Sequence, residues 1–169
     1  MSDILILAAS NGENLKLANR FAEAAKALDL SIDLLDLTEL DLPLFTPRSR
    51  DAGQPDGLLA LQDRLQGGQR WIICAPEYNG SIPPVLTSAF AWLSVLGNDF
   101  RALFNGRPVA MASHSGSGGY EVLTALRIQL AHLGSHVVGR QLIANNTKPA
   151  HDSSIEAILQ ALLDLRSPG

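Results

Sequence analysis

The sequence predicts an α/β fold: a five-stranded parallel sheet in the order 2-1-3-4-5, with helices on both faces. Three observations lead there. Apolar runs of strand length recur at Ile4 to Ala8, Ile32 to Leu37, Trp71 to Ala75, Val109 to Ser113 and Val137 to Ile143. Ile4 to Ala8 and Trp71 to Ala75 are continuous in apolar character, as strands buried on both faces must be. Helical patterns lie between them, and with right-handed crossovers this alternation leads to that strand order. At 169 residues and 46% hydrophobic, residues 1–169 are expected to form one domain with one sizeable core.

After the first strand, Leu17, Phe21, Ala24, Ala25 and Leu28 fall on one helical face, with Asn11 or Asn14 as candidate N-cap. Residues 38–57 follow the second strand and carry Pro43, Pro47, Gly53, Pro55 and Gly57, so a long irregular connection is expected there, either a lid or a surface excursion. The third strand runs into Pro76-Glu77-Tyr78-Asn79-Gly80-Ser81-Ile82-Pro83 and then an uncharged helix. On that helix Val85, Leu86, Ala89, Phe90, Trp92, Leu93, Val95 and Leu96 cover more than half the circumference, wider than one sheet face buries. A homodimer, or a dimer of dimers, through the helix 83–96 is the expectation. Leu123, Leu126, Leu130 and Leu133 mark the next helix, which Gly134 ends, and Ile155, Ile158, Leu159 and Leu162 mark the last, with Asp152, Ser153 or Ser154 as cap.

A net charge of −4 with scattered Lys and Arg lacks the basic footprint of a nucleic-acid or anionic-membrane partner. The uncharged interval from Tyr78 to Asn98 is broken by Asn79-Gly80 and Pro83-Pro84, too soon for a membrane span. A lone Cys74 inside an apolar run and an opening without signal-peptide character suggest a reduced, cytoplasmic protein. His132 and His136 have ligand spacing, but Gly134 interrupts the helix between them and no carboxylate joins them, so no metal is expected. No nucleophile elbow, P-loop or dinucleotide fingerprint is present, and no side-chain catalytic residue is assigned.

The predicted order reverses between strands one and three, where open α/β sheets bind ligands. Three loops meet at that point. The first, Ala8 to Asn14, offers backbone N–H groups at a helix start with Ser10, Asn11 and Asn14, while Glu13 must turn outward or pair with Lys16. The second is the octapeptide from Pro76 to Pro83. The third, His114-Ser115-Gly116-Ser117-Gly118-Gly119-Tyr120, lets backbone approach a flat ligand closely.

The octapeptide and its following helix with Trp92 resemble the NAD(P)H-dependent FMN reductase family, of flavodoxin-like three-layer architecture. The resemblance extends to Ser10 and Asn14-x-x-Leu17-Ala18, to Leu42-Pro43-Leu44-Phe45, and to Ser115-Gly116-Ser117-Gly118-Gly119 leading to Leu126-Arg127-x-x-Leu130. It implies FMN as cofactor and NAD(P)H as hydride donor, with electrons passed to a quinone, azo compound, metal oxyanion or free flavin. Carried over, the phosphate falls to Ser10, Asn11 and Asn14. The isoalloxazine and ribityl chain fall to Pro76, Glu77, Tyr78, Asn79 and Gly80. The pyrimidine end falls to Ser113, His114, Ser115, Gly116, Gly118 and Gly119, helped by the dipole of the helix behind them. The first loop departs from the family pattern, with only Asn11-Gly12-Glu13 between its Ser and Asn and no arginine, and Pro84 stands where glycine is usual. A flavodoxin-like electron carrier and a flavin-free binding or regulatory protein are the alternative functions.

Overall fold

Strand β1 (Ser2–Ala8) occupies the middle of a parallel sheet with every residue from Ile4 to Ala8 buried, as its unbroken apolar run requires. The computed structural model describes residues 1–166. β1 pairs with β2 (Ile32–Asp36) on one side and β3 (Gly68–Cys74) on the other; β4 (Pro108–His114) follows, then β5 (His136–Val137). The order is β2-β1-β3-β4-β5, as the sequence predicts. One correction concerns the last strand. The single strand expected over 137–143 is two short ones, because β6 (Leu142–Ala144) also pairs with β4, beyond an excursion at Val138 to Gln141. Arg127 holds that excursion, donating to the Gly139 carbonyl and to Gln141 Oε1.

Helices α1 (Glu13–Lys26) and α6 (Asp152–Leu163) pack on one face through Leu17, Phe21, Ile155, Ile158 and Leu162, against Ile4, Ile6 and Ile72. On the other face α3 (Leu58–Gly67), α4 (Pro84–Ser94) and α5 (Tyr120–His132) pack against Leu5, Leu7, Trp71 and Met111. The expected caps differ in detail: Gly12 precedes α1 and His151 precedes α6, neither with a side-chain capping bond. Gly134, with φ of +93°, ends α5 as expected.

The segment 38–57 is neither wholly irregular nor a free lid. It contains a 3-10 turn at Leu37–Glu39 and the short helix α2 (Pro47–Asp51), which a Thr46 capping box starts. Its middle covers α4. Phe45 meets Trp92 edge-on at 5.1 Å, Trp92 Nε1 donates to the Pro43 carbonyl at 2.8 Å, and the Phe45 N–H donates to Ser88 Oγ at 2.8 Å. Phe90 packs edge-on to Phe104 at 5.2 Å. Both Phe90 and Trp92 are therefore buried within the chain. The breadth of the apolar face, which suggested a partner subunit, is taken up by the chain's own 40–46 segment and by Phe104. Sequence periodicity counts apolar positions but does not show which loop returns to cover them.

Candidate functional site

Ala8, Cys74 and Ala112 stand in one line across β1, β3 and β4. The chain continues that registry for one residue: Ala9 N–H donates to the Cys74 carbonyl and Ala75 N–H to the Ala112 carbonyl. All three predicted loops therefore leave the sheet at one level and at the predicted switch point. The structure brings the sequence-derived candidates together there, although it gives some of them different tasks.

In the first loop, Ser10 is half-buried and Asn11 and Gly12 are exposed. The N–H groups of Ser10, Asn11 and Gly12 donate to no protein acceptor among the described residues, and no side chain caps α1. Asn14 is different. It is 2% exposed, its Nδ2 donates to the His114 carbonyl and its Oδ1 accepts from the His114 N–H, both at 2.9 Å. Its amide gives one donor and one acceptor to tying α1 to the end of β4, a supporting role beside the phosphate contact expected of it. Glu13 turns outward and pairs with Lys16 at 2.6 Å, which holds its carboxyl below the ordinary value and takes the acid off the loop's inner side.

The second loop closes as a tight turn. Tyr78 and Ser81 exchange backbone hydrogen bonds at 3.1 and 3.0 Å around Asn79 (φ +51°) and Gly80 (φ +71°), the positive pair a type I′ turn demands. Asn tolerates that region and Gly is free in it, which is why this dipeptide occupies the turn. Pro76 is buried, Tyr78 is 49% exposed, and Pro83 and Pro84 start α4.

The third loop hangs from β6 by the Ser115 N–H to the Ala144 carbonyl, and closes on itself through Ser115 Oγ and Ser117 Oγ at 3.1 Å. Gly118 (φ +118°) and Gly119 (φ +78°) turn it into α5. The N–H groups of Gly116, Ser117 and Gly119 have no protein acceptor among the described residues, and Ser113 Oγ is buried without a partner. The expected role of the α5 dipole changes. Glu77 reaches across from the second loop: Oε1 accepts from Ser117 Oγ at 2.5 Å, and Oε2 accepts from the Glu121 and Val122 N–H groups at 3.1 and 3.3 Å. The helix start is thus already met by a carboxylate of this chain, and Glu77, expected along the isoalloxazine, caps α5 instead. The Ser117 hydroxyl, followed by the Val122 and Glu121 groups, holds the Glu77 carboxyl below its ordinary value of 4.5. The cap is fully favourable above that ordinary value and is lost as pH falls through the depressed one.

The remaining chemistry-bearing residues lie apart. His132 stacks on Phe100 at 6.2 Å, and His136 opens β5. Cys74 is fully buried, and burial pushes its thiol far above its usual range, the state of an inert core residue. Neither the Glu77 cap nor the Asn14 tie has a local signature, since 44 and 100 residues separate the partners.

A planar anionic ligand suits this edge. Unpaired N–H groups on two loops bracket a turn of exposed backbone, and an orphaned hydroxyl lies buried at the end of β4. That donor set fits the phosphate and the carbonyl-bearing edge of FMN. No metal-ligating cluster of three or more His, Cys, Asp or Glu occurs among the described residues, and none of their helices is long and apolar enough to cross a membrane.

Comparison with known proteins agrees with this geometry. The family described as NADPH-dependent FMN reductase matches residues 2–165. A curated relative, the NADH:(hydroxy)cinnamate reductase subunit CrdA of Vibrio ruber, is 35% identical over 96 residues, 55% of this chain and 45% of its own length. The chain thus spans less than half of that relative. Among solved structures, FerB, a flavoenzyme NAD(P)H:(acceptor) oxidoreductase from Paracoccus denitrificans, superposes with a TM-score of 0.78 at 21% identity, over 98% of this chain and 97% of FerB. The apo form of the NADH:FMN oxidoreductase EMOB gives 0.71 at 19% identity, over 99% and 92%. At these identities the two structures establish the fold.

Proposed function

The chain belongs to the NADPH-dependent FMN reductase family; from that premise we propose that it is an NAD(P)H-dependent flavin oxidoreductase that acts as one domain, holds FMN on the three loops, and passes electrons to a small acceptor. The single observation that carries the site is the set of unpaired N–H groups at Ser10, Asn11 and Gly12 and at Gly116, Ser117 and Gly119, on the two loops that flank the Asn79-Gly80 loop in the sheet order.

FMN, when bound, supplies the redox chemistry by accepting hydride from NAD(P)H and giving electrons onward. The chain binds and orients. The Ser10 to Gly12 backbone, at the uncapped start of α1, meets the phosphate dianion without an arginine. The turn at Asn79 and Gly80 presents exposed main chain together with the small Asn79 side chain for a ring to lie against. Gly116, Ser117 and Gly119 offer N–H donors to the ring edge where negative charge grows on reduction. Because the Glu77 carboxylate already occupies the α5 start, these loop N–H groups carry that role in place of the helix end. His114 holds Asn14 through its backbone N–H and carbonyl. The acceptor class is a quinone, an azo compound, a metal oxyanion or free flavin, and the exposed Tyr78 and Tyr120 beside the site favour a planar one. Pairing of two chains through residues 83–96 would use the outward remainder of α4, including Pro84, Thr87 and Val95. A monomeric mass in solution scattering at micromolar concentration refutes that pairing.

The test is anaerobic. Protein mixed with FMN and then NADPH or NADH is expected to bleach the flavin band, and no bleaching with either nucleotide contradicts the proposal. Asn79→Ala and Gly80→Ala should each weaken FMN about tenfold or more, since both alter a turn whose φ values an alanine disfavours. Cys74→Ala should leave FMN affinity within about twofold, because the thiol is buried away from the loops. Equal effects at the three positions would mean that the site lies elsewhere.

A further inference from the structure

Glu77 is the only side chain of the second loop whose hydrogen bonds cross to the third among the described residues, and it does so three times. Its Oε1 holds Ser117, itself one of the three loop residues with a free N–H; its Oε2 holds the first turn of α5 through Glu121 and Val122. Gly116, Gly118 and Gly119 leave the third loop little stiffness of its own: Cβ atoms added at Gly116 and Gly118 would meet nothing within 4 Å. The remaining hydrogen bonds on Ser115 to Gly119 run within the loop, back to Ala144, or forward from the Leu123 N–H to the Gly119 carbonyl. Gly119 also stands against Ser113 at the end of β4, but no other side chain of the second loop bonds to the third among the described residues.

We infer that Glu77 is a positioning residue that latches the third loop to the second, setting the gap into which the flavin ring fits. The inference rests on the flavin site proposed above. It converts a residue expected to touch the cofactor into one that acts through its neighbours: Glu77 spends both carboxylate oxygens on protein donors and shapes the site by placing the Gly116, Ser117 and Gly119 donors. The charge matters as well as the shape. A carboxylate at the α5 start offsets the helix dipole, so the field at the ring edge is set by the loop N–H groups. Glu121 is the other ionisable side chain beside the latch and lies next to Glu77 at the helix start, so the carboxylate of Glu77 is stabilised by hydrogen bonds, with no cation paired to it among the described ion pairs.

The test uses FMN itself as the probe, with its fluorescence quenching as the readout, and backbone hydrogen exchange of the FMN-free protein. Glu77→Ala should raise the FMN Kd about tenfold or more and speed exchange at the Glu121 and Val122 amides, which lose their acceptor. Glu77→Gln should return the Kd to within about threefold of the parent, because its oxygen still accepts from the two N–H groups while its amide donates to Ser117 Oγ. Should Glu77→Ala fail to fold, Ser117→Ala tests the same latch by removing one of its three bonds, with about threefold weaker FMN expected. An unchanged Kd in Glu77→Ala or in a folded Ser117→Ala, alongside normal binding by the parent chain, overturns the latch and leaves the flavin site standing. Failure of the parent chain to quench FMN overturns both.

Discussion

Gly119→Ala is expected to reduce FMN affinity by about thirtyfold or more and to lower stability measurably. Two independent costs fall on this position. Its φ of +78° lies in the left-handed region, where a Cβ costs roughly 1–2 kcal/mol. The added Cβ would also stand 2.6 Å from Ser113 Oγ and 2.8 Å from Ser113 Cβ. Ser113 is fully buried at the end of β4 and has no room to retreat, so relief must come from the loop, at a further cost of about 1–3 kcal/mol. Displacing Gly119 moves the N-terminus of α5 and the N–H groups on which ring binding is argued to depend. FMN fluorescence titration and thermal unfolding read the two effects. Gly116→Ala is the control for stability, since a Cβ there meets nothing within 4 Å. Equal stability in the two variants would show that the close approach to Ser113 is unimportant.

Trp92→Ala should cost about 3–5 kcal/mol of stability, the range for emptying a buried aromatic site. Trp92 is 2% exposed, meets Phe45 edge-on, and is the donor to the Pro43 carbonyl. Its loss leaves a cavity and removes two of the ties that hold residues 40–46 over α4. Trp92→Phe keeps most of the ring contact and gives up the indole N–H, so its cost should fall to about 1–2 kcal/mol. Denaturant unfolding measures both, the midpoint moving at nearly constant slope. If the outward face of α4 instead owed its order to a partner chain, the loss would depend on protein concentration. Independence from concentration is expected, because Phe90 and Trp92 are covered within the chain.

The sheet was legible because buried parallel strands leave unbroken apolar runs, and their alternation with helices admits few topologies. Ile4 to Ala8 and Trp71 to Ala75 needed no other information. The split of the last strand falls where Gly139-Arg140-Gln141 interrupts the apolar run from Val137 to Ile143, and the tie that holds the excursion comes from Arg127, more than ten residues away. The three loops were legible as a site from strand order and composition alone. What each side chain does in them was not. Asn14 and Glu77 look like ligand donors in sequence because they are polar residues in the right loops. In the structure each is already satisfied by backbone far along the chain, and a buried or fully bonded polar group has little left to offer a ligand. The donors that remain are backbone N–H groups, which every residue other than proline carries and no sequence pattern displays.

FMN held between the first and third loops, at the carboxyl edge of β1, β3 and β4, is the proposed state of the working protein. Amide chemical-shift mapping during titration with FMN tests it most directly. The largest shifts are expected at Ser10 to Asn14, Tyr78 to Ser81 and Ser113 to Tyr120, with little change in the cleft lined by Arg140, Lys148, His151 and Ser154, whose basic side chains make it a rival anion site. Shifts concentrated in that cleft, with the three loops unmoved, would contradict it.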